Sequence, residues 1–174
     1  MSAKVKVAEK KAKKAEKKVE KAKKGRAPLK ELKDGQCFYI VSAGKDGLGS
    51  DLAVEVDKQD YYHPKKTGIH NIHLGKFEKS KAQKWLYDSK TQLLSSLFID
   101  GLVFFEGSNH NVNGYKNIGL PQQKFTFNTQ KKQWVNSKTG RALDLEEKKG
   151  KKLANIVTQD KSSKNSQKWD IIMC

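Results

Sequence analysis

The chain has 174 residues, with 36 Lys and Arg against 19 Asp and Glu, a net charge of +17. No stretch approaches the ~20 apolar residues of a transmembrane helix, the N-terminus has charge but no apolar core of a secretory signal, and two cysteines make no disulfide framework. So basic a surface attracts nucleic acid, acidic protein segments or anionic lipid, unless it serves only solubility.

Residues 1–30 form a Lys-rich arm. Residues 1–24 hold eleven Lys and three Glu, a net +8, and no aromatic, Gly or Pro. Ala8, Ala12, Ala15, Val19 and Ala22 recur at helical spacing, Glu9–Lys13 and Glu20–Lys24 can pair at i,i+4, and Gly25 and Pro28 stop the pattern. The stripe of Ala and Val buries too little area for a firm coiled coil, so a solvated, fraying helix or a disordered extension is expected. Lys10, Lys11, Lys13, Lys14, Lys17, Lys18, Lys21, Lys23 and Lys24 are the candidate contacts to RNA or another polyanion.

Residues 31–174 carry every aromatic and read as short strands: "FYIVSA" (38–43), "LAVEV" (52–56), "IHNIHLG" (69–75), "GLVFFEG" (101–107), "FTFN" (125–128), "RALDLEE" (141–147), "LANIVTQ" (153–159) and "WDIIM" (169–173). Turn-rich pieces separate them: "GKDGLGSD" (44–51), "EGSNHNVNG" (106–114), "NSKTG" (136–140) and "DKSSKNS" (160–166). One triplet recurs through this region: "QKW" at 83–85, "QKF" at 123–125 and "QKW" at 167–169. A period of roughly 40 residues points to repeated units. Each period holds about four strands, and three such units are too few for a propeller. Three units can close as a β-trefoil, an all-β, twelve-strand body with Trp85, Phe125 and Trp169 directed into its core. Each glutamine is then expected to face the other way or to tie a turn.

Three Gln-x-aromatic triplets in register resemble the ricin B-type lectin family. The third repeat follows the family pattern most fully, with Trp134, Asn136, Thr139, Gly140, Leu143-Asp144-Leu145, Gln167 and Trp169. The first fits in part, and the second has "FIDGLVFF" where the Gly-x-x-Leu-Asp segment belongs. The resemblance covers roughly residues 35–174. It implies that the first and last strands are neighbours, bringing Cys37 beside Cys174; in a reducing cytosol the two thiols are expected to stay unpaired.

The resemblance also implies a shallow sugar pocket on each repeat, built from an Asp that accepts hydroxyls, a stacking aromatic and an amide. The third repeat keeps Asp144, with Gln167 and Asn155 as amides, and Val157 or Gln159 stands in place of the ring. In the first repeat the acid position reads Ala53 or Glu55, and Asn71 and His73 line the site. In the second, Phe104 or Phe105 replaces the acid, with Tyr115 and Asn117 nearby. Asp144, Asn155 and Gln167 form the leading set, with Gln159, Glu55, Asn71 and His73 as the further candidates.

No catalytic, metal or cofactor constellation emerges. His70 and His73 lie three apart on a strand and face opposite sides, and "GKDGLGSD" lacks the Lys-Ser/Thr ending of a phosphate loop. The expectation is a non-enzymatic, lectin-like binding module in the cytoplasm or nucleus, its partner a carbohydrate or glycoconjugate. The alternatives are a polyanion-binding protein that uses the trefoil as scaffold, and a cytoskeleton-associated trefoil.

Overall fold

A computed structural model describes residues 32–43, 51–59 and 67–174. The Lys-rich arm with its candidate polyanion contacts, His63, and the turn at 44–50 lie outside the described residues. Among those described, no helix is long and apolar enough to cross a membrane.

The strands are β1 (Phe38–Ser42), β2 (Leu52–Val56), β3 (His70–Lys76), β4 (Trp85–Asp88), β5 (Leu93–Ser96), β6 (Leu102–Glu106), β7 (Val112–Lys116), β8 (Phe125–Asn128), β9 (Gln133–Asn136), β10 (Ala142–Lys148), β11 (Lys151–Gln159) and β12 (Trp169–Met173). They fall into three sets of four. Before the last strand of each set comes a 3-10 turn, at Lys81–Gln83, Pro121–Gln123 and Asn165–Gln167, and each turn ends on the glutamine of a repeated triplet.

Six strands form the barrel. Antiparallel ladders join β12 to β1, β1 to β4, β4 to β5 and β8 to β9. The ring is completed by Phe125 N–H donating to Gln92 C=O (2.8 Å) and Trp169 N–H donating to Lys132 C=O (2.8 Å). The tight turns into β5 and β9 close on their own side chains: Asp88 accepts from Lys90 N–H at 2.9 Å, and Asn128 accepts from Lys131 N–H at 2.9 Å. The other six strands form three hairpins, β2–β3, β6–β7 and β10–β11. These meet around a pseudo-threefold axis, where Asn155 pairs with His73, Asn71 with Asn113, and Asn111 with Val157.

The recurring aromatics lie in the core. Trp85, Phe125 and Trp169 are buried; Trp85 meets Phe104 edge-on at 4.8 Å, and Phe104 meets Phe125 at 5.7 Å. Indole nitrogens tie barrel to cap, Trp85 donating to Val54 C=O at 3.0 Å and Trp169 to Leu143 C=O at 3.1 Å. Burying an indole without a partner for its N–H would forfeit much of the gain. Trp134 is a further large core ring, against Phe38, Tyr87 and Phe127.

Two expectations are corrected. "VNG" (112–114) is not turn but the start of β7: Val112 is buried and Gly114 lies under Leu102, where a Cβ would stand 2.8 Å from Leu102 Cγ. Asparagine and glycine weaken the strand signal, while the partner strand supplies the ladder. The thiols are not free either. Phe38 pairs with Met173, so Cys37 and Cys174 are the next pair on the ladder; their Cα atoms are 5.3 Å apart and a disulfide joins them.

Candidate functional site

Register fixes which residues are equivalent. Val41, Ser95 and Val135 pair with Ala53, Val103 and Ala142, so two residues further on Glu55, Phe105 and Asp144 share one position. Ala53 and Phe104 are core residues instead. Across each hairpin the acid position faces His73, Asn113 or Val157. The residue opposite Asp144 is thus Val157, while Gln159 lies off to the side and donates to Leu145 C=O at 3.3 Å.

The triplet glutamines do identical work three times. Gln83, Gln123 and Gln167 donate to the carbonyls of Lys76, Lys116 and Asp160 at 2.7, 2.8 and 2.8 Å. Their side-chain oxygens accept from the backbone of Glu78, Ile118 and Ser162 at 3.0, 3.1 and 2.8 Å. All three are buried. Where an acid is present the same amide reaches it: Gln83 Nε2 donates to Glu55 Oε2 at 2.9 Å, and Gln167 Nε2 to Asp144 Oδ2 at 3.1 Å. A structural turn and a site carboxylate are therefore held by one side chain.

The two carboxylates differ in access. Asp144 also accepts from Leu145 N–H at 2.7 Å, and the Lys152 ammonium stands 4.0 Å away, itself bound to Glu147 at 2.8 Å. Only 1% of the Asp144 side chain is exposed. Glu55 is 11% exposed, and the His73 ring, 31% exposed, puts Nε2 3.1 Å from Oε1. Gly75 makes the room for this pair: a Cβ there would stand 2.7 Å from Glu55 Oε2. Burial pushes the Glu55 carboxyl up, but contacts from His73 and Gln83 outweigh it and hold it below its ordinary value. The same contact lifts the His73 ring above its ordinary value, against burial.

Asn155 and Asn71 do not join these carboxylates. With Asn111 they form a closed ring on the pseudo-threefold axis: Asn71 Nδ2 donates to Asn155 Oδ1 (3.0 Å), Asn155 Nδ2 to Asn111 Oδ1 (2.7 Å), and Asn111 Nδ2 to Asn71 Oδ1 (3.1 Å). Asn155 also donates to Glu146 at 3.1 Å. Three equivalent amides on an axis satisfy one another head to tail, which draws Asn155 away from Asp144 and Asn71 away from Glu55. In the structure both amides are spent on the axial ring.

The second repeat lacks the acid but has a cleft of about 570 Å3, lined by Ile69, Phe105, His110, Asn113, Leu120 and Gln122 among others. Glu106 also lines it and is itself buried. It contacts His110 Nδ1 at 3.1 Å, accepts from Thr139 Oγ1 at 2.7 Å and from Thr158 Oγ1, and has Arg141 Nε at 3.7 Å. Sequence reasoning missed this group. The available signal was parity: Leu102, Phe104 and Glu106 share one face of β6, so the acid points inward.

A family model described as the ricin-type beta-trefoil lectin domain matches residues 46–169. Among curated proteins no sequence match is found. Similar solved structures include the β-trefoil lectin of the Vibrio vulnificus hemolysin/cytolysin with N-acetyl-D-lactosamine bound (TM-score 0.62, 12% identity, 79% of this chain and 94% of that one). Another is the designed three-fold symmetric protein ThreeFoil (TM-score 0.61, 17% identity, 78% and 97%). A third is the C-half of the earthworm R-type lectin in complex with GalNAc (TM-score 0.60, 15% identity, 79% and 98%).

Proposed function

The chain belongs to the ricin-type β-trefoil lectin family, and from that premise we propose that it is a carbohydrate-binding module whose working site is the first repeat, built on Glu55, His73 and Gln83. Relatives in fold hold N-acetyl-D-lactosamine and GalNAc, and these are the first ligands to try.

The observation that carries the choice of repeat is the contrast between the equivalent acids. Glu55 is buried but keeps 11% of its side chain exposed, while Asp144 keeps 1% and has Lys152 over it. An ionised carboxylate accepts two neighbouring hydroxyls strongly, provided the ligand can reach it. The imidazole opposite Glu55 supplies the flat surface that Val157 cannot.

A glycan array with the wild type, Glu55→Gln and Asp144→Asn tests this. Signal lost in Glu55→Gln and kept in Asp144→Asn supports the assignment. Loss in Asp144→Asn with retention in Glu55→Gln moves the site to the third repeat, and an array blank for the wild type removes the reading.

The Lys-rich arm supports a second, independent activity, docking on RNA or another polyanion, because its eleven Lys against three Glu are concentrated between positions 1 and 24. RNA affinity then falls steeply with salt for the full chain, and the log–log slope flattens for a chain starting at Gly25.

A further inference from the structure

The first-repeat acid is already engaged by the protein. Glu55 Oε2 is held by Gln83, which cannot leave without opening the turn at Lys76 and Glu78. Glu55 Oε1 faces His73 Nε2 at 3.1 Å, and His73 is the partner that can change charge within the physiological range. The third repeat offers a comparison: there the covering group is the Lys152 ammonium, anchored by Glu147 at 2.8 Å.

We propose that His73 is a pH-operated gate on the first-repeat carbohydrate site, its protonated ring occupying the Glu55 oxygen that a ligand hydroxyl needs and its neutral ring releasing it. The gate rests on the assignment of that site under Proposed function. With imidazolium in place, an incoming hydroxyl competes against a charge-assisted contact. With neutral imidazole the carboxylate regains its full strength as an acceptor.

The charged neighbours leave this logic intact. From β2 and the residues after it, His73 meets Glu55 and Asp57, which favour the proton, and Lys58, which opposes it. The turn beneath contributes the neutral Gln83, and β11 contributes the neutral Asn155 as backbone partner. Glu55 remains the dominant influence and holds the ring proton above its ordinary 6.5, while the Glu55 carboxyl is held below its ordinary 4.5. The proton that leaves as pH rises past 6.5 is therefore the ring's.

The test is calorimetric titration of the full chain with N-acetyllactosamine and with GalNAc from pH 5 to 8.5, each in two buffers of different ionisation enthalpy. Linkage sets the expected size: one released proton per bound sugar gives up to about tenfold in affinity per pH unit below the ring's transition, and none above it. Affinity for the probe that binds should climb with pH through the ring's raised transition and then level, with proton release fading over the same interval. In His73→Gln, which loses the ring surface together with its proton, affinity should be weaker at neutral pH, and the binding that remains should be flat in pH and release no proton; residual binding that still climbs with pH and releases a proton overturns the gate. Binding by the wild type that is flat in pH and releases no proton overturns the gate and leaves the carbohydrate assignment standing. Failure of both sugars to bind at every pH overturns the assignment and the gate together.

Discussion

The asparagine ring makes a prediction whose size follows from counting bonds. Asn71→Ala removes two of the three ring bonds, the one it donates to Asn155 and the one it accepts from Asn111. Asn155→Ala also removes two, the bond from Asn71 and the one it donates to Asn111. The Asn71–Asn155 bond is common to both. At about 1 kcal/mol per net hydrogen bond, Asn71→Ala should lose about 2 kcal/mol, and Asn155→Ala, which also gives up its bond to Glu146, about 3 kcal/mol. The double variant breaks four bonds and should lose about 4 kcal/mol, so the pair should show a coupling of about 1 kcal/mol. The ring is partly buried, which argues for the middle of the range for neutral bonds rather than its top. Urea unfolding of the four proteins at one pH, with unchanged m-values, is the assay. Strictly additive losses, or single variants that lose no more than an ordinary surface substitution does, would refute a closed ring and return these amides to the sugar pockets.

Gly75→Ala forces Glu55 off Gln83 and His73. It should cost about 1–3 kcal/mol through overpacking, abolish sugar binding, and return the His73 ring to an ordinary titration in NMR. Cys174→Ser opens a loop spanning 137 residues; chain-entropy reasoning gives an upper bound of about 5 kcal/mol, visible as a fall in thermal midpoint that reductant reproduces in the wild type and not in the variant. The Glu55–His73 pair also shapes stability against pH. Glu55 is held below its ordinary 4.5, so its contribution is present above 4.5 and fades as pH falls through the lowered value. His73 is held above its ordinary 6.5, so its contribution is full below 6.5 and fades as pH rises through the raised value. The stability gap between the wild type and Glu55→Gln/His73→Gln should therefore be widest between about 4.5 and 6.5 and shrink on both sides.

Much of the fold was legible because the trefoil writes its symmetry into spacing. The three near-evenly spaced triplets locate the core rings Trp85, Phe125 and Trp169 and the turn-tying glutamines. Strand β7 was hidden because Val112, Asn113 and Gly114 read locally as a turn, and only the pairing with β6 makes them strand. The disulfide escapes a reading that weighs compartment above adjacency, although the same reading sets Cys37 and Cys174 side by side, where the ladder has them.

The site was legible residue by residue and not as an assembly. Glu55, His73 and Asp144 could be picked out as candidates because they sit at positions that match the family pattern. Nothing in one chain shows that Asn71, Asn111 and Asn155 are equivalents that meet on an axis, since the repeats differ in length. Nor does Lys152 announce itself as the cover over Asp144. It is one lysine in "EEKKGKK", and only the bulge between Leu145 and Glu147 and the hairpin beyond it bring the ammonium back over the carboxylate.

The side-chain amides of Gln83, Gln123 and Gln167 are three reporters in equivalent surroundings, one beneath each candidate pocket. Following their proton–nitrogen NMR signals while N-acetyllactosamine or GalNAc is added above neutral pH tests the central claim most directly. Saturable movement of the Gln83 signals, with Gln167 and Gln123 still, is the predicted result. Movement of Gln167 with Gln83 unmoved, or no movement in any of the three, contradicts a carbohydrate site on the first repeat.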